Sequence, residues 1–163
     1  VYVSKKGEFK YLGNLTTRKD FDAEKGTEVQ FGKDSEGGFI SAGGLWKKKY
    51  YPTAVYMAFH GGLGEGGQVQ SILEHLNIPF TCTTAESSFI CMNKQLSKDV
   101  VISMGVPVIE GVSISSKTIR VSSQELTKQI SSELGLPLII KPVHFGSSIG
   151  ISIAKTEIEL EKY

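Results

Sequence analysis

Along this chain, short apolar runs alternate with stretches in which apolar residues recur every three or four positions. The apolar runs are bounded by glycine, proline or polar residues and predict buried strands. They are residues 55–59, 80–83, 108–114 and 138–140. The stretches with helical spacing predict amphipathic helices, and they are residues 69–76, 85–104, 126–134 and 156–163. Isoleucine alternates with small residues at 149–154, which predicts one more strand. Helices that alternate with strands in this way indicate an α/β fold.

Three helix-to-strand junctions share one local pattern, in which asparagine or glycine precedes an apolar residue and then proline. The junctions are residues 77–79, 105–107 and 135–137. Asparagine and glycine can adopt the positive φ that ends many helices, and proline cannot continue a helix. We therefore predict left-handed backbone at Asn77, Gly105 and Gly135. The last of these helices should begin at a capping box, because Ser122 stands three residues before Glu125.

The first 51 residues follow a looser pattern. Residues 1–15 predict two short strands around a lysine-glycine turn, and residues 16–23 predict one polar helical turn. Residues 26–44 contain six glycines, which favours a surface loop over a loose hairpin. Residues 46–51 combine three lysines with aromatic side chains. Binders of single-stranded nucleic acid use such a combination, but a solvated entry to a strand explains it better.

Composition and charge narrow the class of protein. The chain has 163 residues and a formal net charge of +1, so its charge gives no reason to expect nucleic acid or a membrane surface as a partner. No apolar run approaches the ~18 residues of a transmembrane helix. Cys82 and Cys91 are spaced unlike a zinc site, which predicts two reduced thiols in the core of a cytoplasmic protein. The chain begins with Val1 and ends inside a predicted helix, and we interpret it as part of a longer protein.

The segment richest in candidate chemistry is residues 136–154, with the sequence LPLIIKPVHFGSSIGISIA. Two predicted strands flank a glycine-serine loop, and Lys141 leaves the first of them. Gly146 allows the backbone to approach a ligand closely. The hydroxyls of Ser147 and Ser148 add donors to the loop N–H groups, and this set suits a phosphate. A Walker loop is excluded because a strand follows rather than a helix. A hairpin with a flexible turn and a surface lysine would explain the same residues equally well.

A second glycine-rich loop follows the predicted strand at residues 55–59, with His60 at the carboxyl end of that strand. The loop satisfies the dinucleotide pattern G-x-G-x-x-G through Gly62, Gly64 and Gly67. Glu86 stands near the position of a ribose-binding acid, so a nicotinamide-dependent oxidoreductase is one alternative. Glu65 counts against it, because a carboxylate inside the loop would repel the pyrophosphate.

Three blocks of this sequence resemble the ATP-grasp ligases, in the form found in D-alanine–D-alanine ligases. The blocks are HGGLGEGGQVQSILEHLNIPFT, MNKQLSK and IIKPVHFGSSIGIS. They occur in the order typical of that family and together extend over about residues 54–154. One such block alone would only suggest this family, whereas three blocks in the family's order are specific for it.

The resemblance implies a two-part architecture. Residues 1–93 would be a truncated open α/β sheet domain that precedes the ATP-grasp fold, lies on the substrate side and lacks its first strand. Residues 94–163 would be the first α+β lobe of an ATP-grasp domain, itself incomplete. We place the boundary between Met92 and Lys98, where polar residues separate the two patterns.

The resemblance also implies an activity. Such enzymes use ATP to join two D-alanines into D-alanyl-D-alanine through an acyl-phosphate intermediate, for peptidoglycan precursor synthesis and cell wall biogenesis. A second substrate of D-lactate or D-serine type is the nearest alternative. ATP and D-alanine would be the ligands, Mg²⁺ would be needed with its ligands outside this segment, and the whole protein would be a cytoplasmic homodimer. The 163-residue chain alone would be inactive.

On the substrate side, the resemblance gives roles to three residues of the first loop. His60 would be catalytic and would lie beside the first D-alanine and its developing acyl phosphate. Gly61 and Glu65 would complete this substrate-side loop, with Glu65 either accepting backbone N–H bonds or orienting His60. The family usually has an aspartate at the position of Gly66.

On the nucleotide side, the resemblance implies that Lys94 and Lys141 neutralise phosphate oxygens of ATP. The loop that would close over the triphosphate consists of Gly146, Ser147 and Ser148. Ser147 matches a family serine that connects this loop to other parts of the active site, so we assign it a catalytic role as well. Asn93 stands where the family usually has an aspartate.

Overall fold

The computed structural model describes residues 1–4, 7–12, 22–43, 47–115 and 121–163. The chain folds as two compact units, Val1–Phe89 and Ile90–Tyr163. Each unit combines helices with β-structure, so the fold is α/β as the sequence predicts. The predicted functional domains, residues 1–93 and 94–163, stay a prediction.

The first unit contains a five-stranded antiparallel sheet in which each strand pairs with the next one along the chain. Its strands are β1 (Tyr2–Val3), β2 (Phe9–Tyr11), β3 (Thr27–Asp34), β4 (Gly37–Ala42) and β5 (Lys48–Tyr50). The pairing of β1 with β2 confirms the two predicted short strands. The predicted helical turn at residues 16–23 falls mostly outside the described residues.

The glycine-rich stretch at residues 26–44 contains a regular hairpin, so the preference for a surface loop is wrong. Strands β3 and β4 form six consecutive residue pairs. Two of the glycines are required by space. A Cβ at Gly32 would lie 2.5 Å from the Phe39 ring, and one at Gly38 would lie 2.4 Å from the carbonyl oxygen of Leu76. Glycine inside a strand marks close packing in this sheet rather than a loop.

The hydrophobic core of the first unit is built on helix α1 (Gln68–His75). Its apolar face is buried as the helical spacing predicts, because apolar residues four positions apart lie on one side of a helix. Segments before and after α1 complete the core. The buried core residues are Met57, Val69, Leu73, Leu76 and Ile78.

The predicted strands at residues 55–59 and 80–83 are wrong as strands. The two segments share one parallel bridge, between Val55 and Phe80, and two backbone hydrogen bonds of 2.8 and 3.0 Å support it. A strand needs a partner that satisfies its N–H and C=O groups along its length. In the described part of the first unit, these two segments therefore form one bridge instead of the paired strands that the sequence predicts.

Two predictions of burial are also wrong. Residues 108–114 are not assigned to a strand, and Ile109 is 89% exposed. Both cysteines are free, as predicted, but Cys82 and Cys91 are exposed rather than buried in the core. Apolar character alone does not place a residue inside a protein, because much of any folded surface is apolar.

The helical stretch at residues 85–104 consists of two helices, and the second unit is mainly helical. The elements after α1 are α2 (Ala85–Met92), α3 (Lys94–Ser103), α4 (Ser123–Leu134), β6 (Leu138–Ile140), β7 (Ser152–Ala154) and α5 (Glu157–Glu161). β6 and β7 pair antiparallel, with Ile139 opposite Ile153. β7 is shorter than predicted, because residues 149–150 belong to the turn before it. Within the ranges given above, no helix combines the length and apolarity needed to cross a membrane.

The local signals at helix ends are confirmed. The backbone φ is +56° at Asn77 and +75° at both Gly105 and Gly135. At the start of α4, the hydroxyl of Ser122 accepts the N–H of Glu125 at 3.2 Å, and the Glu125 carboxylate accepts the N–H of Ser122 at 3.0 Å. The Ser122 N–H and the Ser122 hydroxyl, which also donates to this carboxylate at 3.0 Å, lower the pKa of Glu125 below its usual value.

We expect Ser122→Ala to destabilise the protein by about 1 kcal/mol, because the N–H group of Glu125 in the first turn of α4 loses its acceptor. Urea unfolding followed by circular dichroism measures the change. Ser132→Ala, at an exposed position of the same helix, is the matched control and should stay within about 0.5 kcal/mol of the wild type. The contribution of Glu125 should be present above the pKa of an unfolded glutamate and should disappear as the pH falls through its lower folded pKa. Equal effects of the two serine substitutions would show that the cap contributes nothing.

Candidate functional site

The loop between β6 and β7, residues 141–151, contains a tight turn with a specific backbone shape. The N–H of Ile149 donates to the carbonyl of Gly146 at 3.0 Å, which closes a four-residue turn. The two central residues, Ser147 and Ser148, have φ values of +50° and +58°. Positive φ at both central positions defines a type I′ turn, the kind that suits the twist of an antiparallel hairpin.

This turn presents several donors to solvent. In the part of the second unit that the structure describes, the N–H groups of Gly146, Ser147 and Ser148 have no protein acceptor, and both serine hydroxyls lack a partner. All three residues are exposed. Successive free N–H groups in a turn form a concavity that favours an anion.

Helix α3 brings Lys94 to the same turn. The N–H of Lys94 donates to the carbonyl of Val143 at 3.1 Å, and its ammonium group donates to the carbonyl of Phe145. Asn93 caps the helix, because its side-chain oxygen accepts the N–H groups of the second and third helical residues at 3.1 and 3.0 Å. Asparagine and aspartate are equally good N-caps. Asn93 therefore holds the start of α3, and with it Lys94, as well as the aspartate of the family pattern would.

The second predicted lysine, Lys141, follows β6 directly and its side chain is exposed. It has no hydrogen-bond or ion-pair partner among the described residues of its unit. The structure therefore gives Lys94 a defined contact with the turn and leaves the ammonium group of Lys141 in solvent. An unpaired ammonium group offers a positive charge that an anion can bind.

The loop predicted to lie on the substrate side, in the first unit, is organised by backbone contacts. It contains the 3₁₀ turn Gly62–Gly64, and the carbonyl of Gly62 accepts the N–H groups of Glu65 at 3.3 Å and Gly66 at 3.0 Å. Gly61, which precedes the turn, has a φ of +76°, a value that favours glycine. The backbone of this short loop is therefore held by its own hydrogen bonds.

His60 and Glu65 lie at the two ends of this loop, and both are exposed. Neither side chain has a hydrogen-bond partner within the described residues of the first unit. The predicted holding of the loop by the Glu65 carboxylate, or its contact with His60, is therefore not observed. Both groups are free to contact a ligand.

The glycine at position 66 has a structural explanation. Gly66 is buried, and a Cβ there would lie 2.6 Å from the end of the Gln68 side chain and 3.2 Å from the carbonyl of Gly62. With its amide nitrogen turned toward the loop, Gln68 donates to the carbonyls of Leu63 at 3.3 Å and Gly66 at 3.1 Å. Gln68 therefore occupies the space that a side chain at position 66 would need.

Sequence reasoning missed one polar residue behind the loop, Gln70. It is buried on α1 and donates to the carbonyl of Gly64 at 2.7 Å. The available signal was a glutamine within the apolar spacing of residues 69–76, where a polar side chain needs a specific partner.

The described residues do not offer a metal site of ordinary composition. Within residues 1–4, 7–12, 22–43, 47–115 and 121–163, no group of three or more histidine, cysteine, aspartate or glutamate side chains could hold a metal ion. A binding site for Mg²⁺ normally uses carboxylates together with substrate phosphates. The donor set described above consists instead of N–H, hydroxyl and ammonium groups.

Comparisons of the sequence with known proteins match D-alanine–D-alanine ligases. The family model described as the D-ala D-ala ligase C-terminus matches residues 100–163. A D-alanine–D-alanine ligase of Moorella thermoacetica is 37% identical over 114 residues, which are 70% of this chain and 37% of that protein.

Solved structures that resemble this chain are ligases of the same kind. The VanG D-Ala:D-Ser ligase from Enterococcus faecalis has a TM-score of 0.69 and 27% identity, and the match covers 86% of this chain and 39% of that one. The D-alanine–D-alanine ligase from Bacillus anthracis complexed with ATP has a TM-score of 0.56 and 32% identity, over 68% of this chain and 33% of that one. The chain spans less than two fifths of each of these relatives.

Proposed function

Because this chain belongs to the D-alanine–D-alanine ligase family, we propose that the whole protein uses ATP to join two D-alanines into D-alanyl-D-alanine. The observation that carries the proposal is the turn between β6 and β7, where free N–H and hydroxyl donors lie next to the lysine that α3 delivers. The chain spans 37% of a curated relative, so the activity is proposed for the protein that contains it.

The nucleotide-side roles follow from the chemistry of the donors. Gly146, Ser147 and Ser148 would bind phosphate oxygens of ATP through backbone N–H groups and hydroxyls. Lys94 and Lys141 would neutralise the charge that develops as the terminal phosphoryl group is transferred. Phosphoryl transfer depends mainly on positioning and charge stabilisation, so fixed donors and cations are the groups that such a site needs.

The substrate-side roles are proposed for His60, Gly61 and Glu65. The reaction requires the carboxylate of one D-alanine to accept the phosphoryl group and the amine of a second D-alanine to attack the resulting acyl phosphate. His60 has an exposed imidazole, which can hydrogen-bond to the first D-alanine and its developing acyl phosphate. The glycine-rich loop keeps the backbone accessible beside it.

Mg²⁺ is part of the proposal for the whole protein, but the residues described in this chain do not fit a magnesium site. We therefore assign no step to the metal here. The proposal also places the whole protein in the cytoplasm as a homodimer. The two free thiols support the location, because exposed unpaired cysteines suit a reducing compartment.

One alternative concerns the second substrate. The similarity to a D-Ala:D-Ser ligase keeps D-serine open as the acceptor, and D-lactate is a further possibility within the same chemistry. The nicotinamide-dependent alternative is supported only by its three glycines and the position of Glu86. The loop that would face the pyrophosphate carries the exposed carboxylate of Glu65, which repels a diphosphate.

The test is a coupled assay of ADP release by the full-length protein with ATP and Mg²⁺, together with mass spectrometry of the product. We expect ADP release to depend on D-alanine and the product to be D-alanyl-D-alanine. Parallel reactions add D-serine or D-lactate in excess, and a mixed product would identify the alternative specificity. ATP turnover that ignores all three compounds would contradict the proposal, as would D-alanine-independent activity with a nicotinamide cofactor.

A further inference from the structure

Gln70 is the most deeply buried polar side chain in the described part of the first unit. It is 1% exposed and lies on α1 between the core residue Val69 and the exposed Ser71. A buried amide in such a position is expected to be paired at both of its ends. Gln70 therefore calls for a specific explanation.

Only one end of the Gln70 amide is paired. The nitrogen donates to the carbonyl of Gly64 at 2.7 Å, while the side-chain oxygen is buried and has no partner among the described residues. The paired end connects α1 to the substrate-side loop. The unpaired end leaves an acceptor that a donor from the loop can use if the loop changes shape.

Gly64 is also in close contact with Phe59. A Cβ at Gly64 would lie 2.0 Å from the Phe59 ring, so the ring packs directly on the glycine backbone. The next residue is Glu65, whose N–H bonds to the carbonyl of Gly62. Gly64 thus contacts both an aromatic ring and the amide of Gln70, and its position sets where Glu65 leaves the loop.

We propose that Gln70 is a positioning residue for the substrate-side loop, and this proposal rests on the proposed ligase function. The Gln70 amide holds the carbonyl of Gly64 so that Glu65 and the loop N–H groups face the amino-acid substrate. When D-alanine binds, the unpaired oxygen of Gln70 accepts an N–H group of the loop. Gln70 acts through the loop and does not touch the reacting atoms.

The experiment compares the full-length protein with Gln70→Met, which keeps the side-chain length and removes both polar ends. We expect the KM for D-alanine to rise at least about tenfold, because small errors of position are costly in a catalytic site. The KM for ATP should stay within about twofold, since the nucleotide-side donors lie on other elements. Gln129→Met, at an exposed position of α4, is the matched control and should change neither constant.

A measurement independent of turnover is hydrogen exchange at the loop amides of residues 61–67. Exchange should be faster in Gln70→Met than in the wild type, and D-alanine should slow it in the wild type only. Gln70→Leu provides a second variant in case Gln70→Met folds poorly, because leucine extends the neighbouring apolar core. Both variants should have intact thermal melts, while the loop exchange changes.

The outcomes separate the possibilities. Unchanged loop exchange together with an unchanged KM for D-alanine overturns the proposal. A fall in kcat with both KM values unchanged also overturns it, because it would show only a smaller folded fraction. If the wild type shows no D-alanine-dependent turnover, the proposed function fails. The exchange of the loop in the absence of D-alanine then still decides whether Gln70 holds it.

Discussion

Lys141→Gln is expected to lower kcat/KM for ATP at least about tenfold, because it removes a positive charge that would face the phosphates. Glutamine keeps most of the side-chain length and the ability to donate hydrogen bonds, so the substitution isolates the charge. The side chain is exposed and unpaired within the described residues. The thermal melt should therefore stay close to that of the wild type.

The matched control for this charge is Lys155→Gln. Lys155 follows the other strand of the same hairpin, is exposed, and has no side-chain partner among the described residues. It should retain wild-type kinetics, because it has the same charge without a predicted ligand. ADP release at varied ATP concentration measures both variants. Equal losses in the two would show a general electrostatic effect, and a lowered melt without a kinetic change would make Lys141 structural.

Gly64→Ala is expected to destabilise the protein by about 1–3 kcal/mol, which is the usual effect of overpacking. The added Cβ would lie 2.0 Å from the Phe59 ring, so either the ring or the loop must move. Because the loop carries Glu65 and follows His60, activity with D-alanine should fall together with stability. Urea unfolding measures the first effect, and the KM for D-alanine measures the second.

Two further variants test the cause. Phe59→Leu reduces the ring to a smaller side chain, and the double variant Phe59→Leu with Gly64→Ala should lose less stability than the sum of the single variants. Gly146→Ala serves as the control for stability, because a Cβ there meets nothing within 4 Å. It should unfold within about 0.5 kcal/mol of the wild type. Additive losses in the double variant would show that contact between residues 59 and 64 is not the cause.

The residues of the proposed nucleotide-side site could be chosen from the sequence, but the contact between them could not be predicted. Lys94 and Phe145 are 51 positions apart, and the contact between the lysine ammonium group and the Phe145 carbonyl exists only because α3 lies against the hairpin. The shape of the turn also depends on context. Serine rarely adopts positive φ, so nothing in the type of Ser147 or Ser148 predicts it.

For the proposed substrate-side loop, too, the sequence identified residues but not the contacts between them. Its glycines and His60 were identified from their order along the chain. The hydrogen bond from the Gln70 amide to the Gly64 carbonyl and the packing of the Phe59 ring on Gly64 were not, because each depends on the folded shape of the loop. A buried polar group and its partner become visible only when the positions of both are known.

The sequence by itself determined the features that depend on neighbours a few residues away. The three positive-φ helix ends and the capping box at Ser122 follow from local backbone and hydrogen-bond chemistry. Only the tertiary structure decided which apolar runs become strands, whether the thiols are buried, and which side chains meet in the two loops. Strand ladders, burial and these contacts need partners from distant parts of the chain, and a local pattern does not specify where those partners lie.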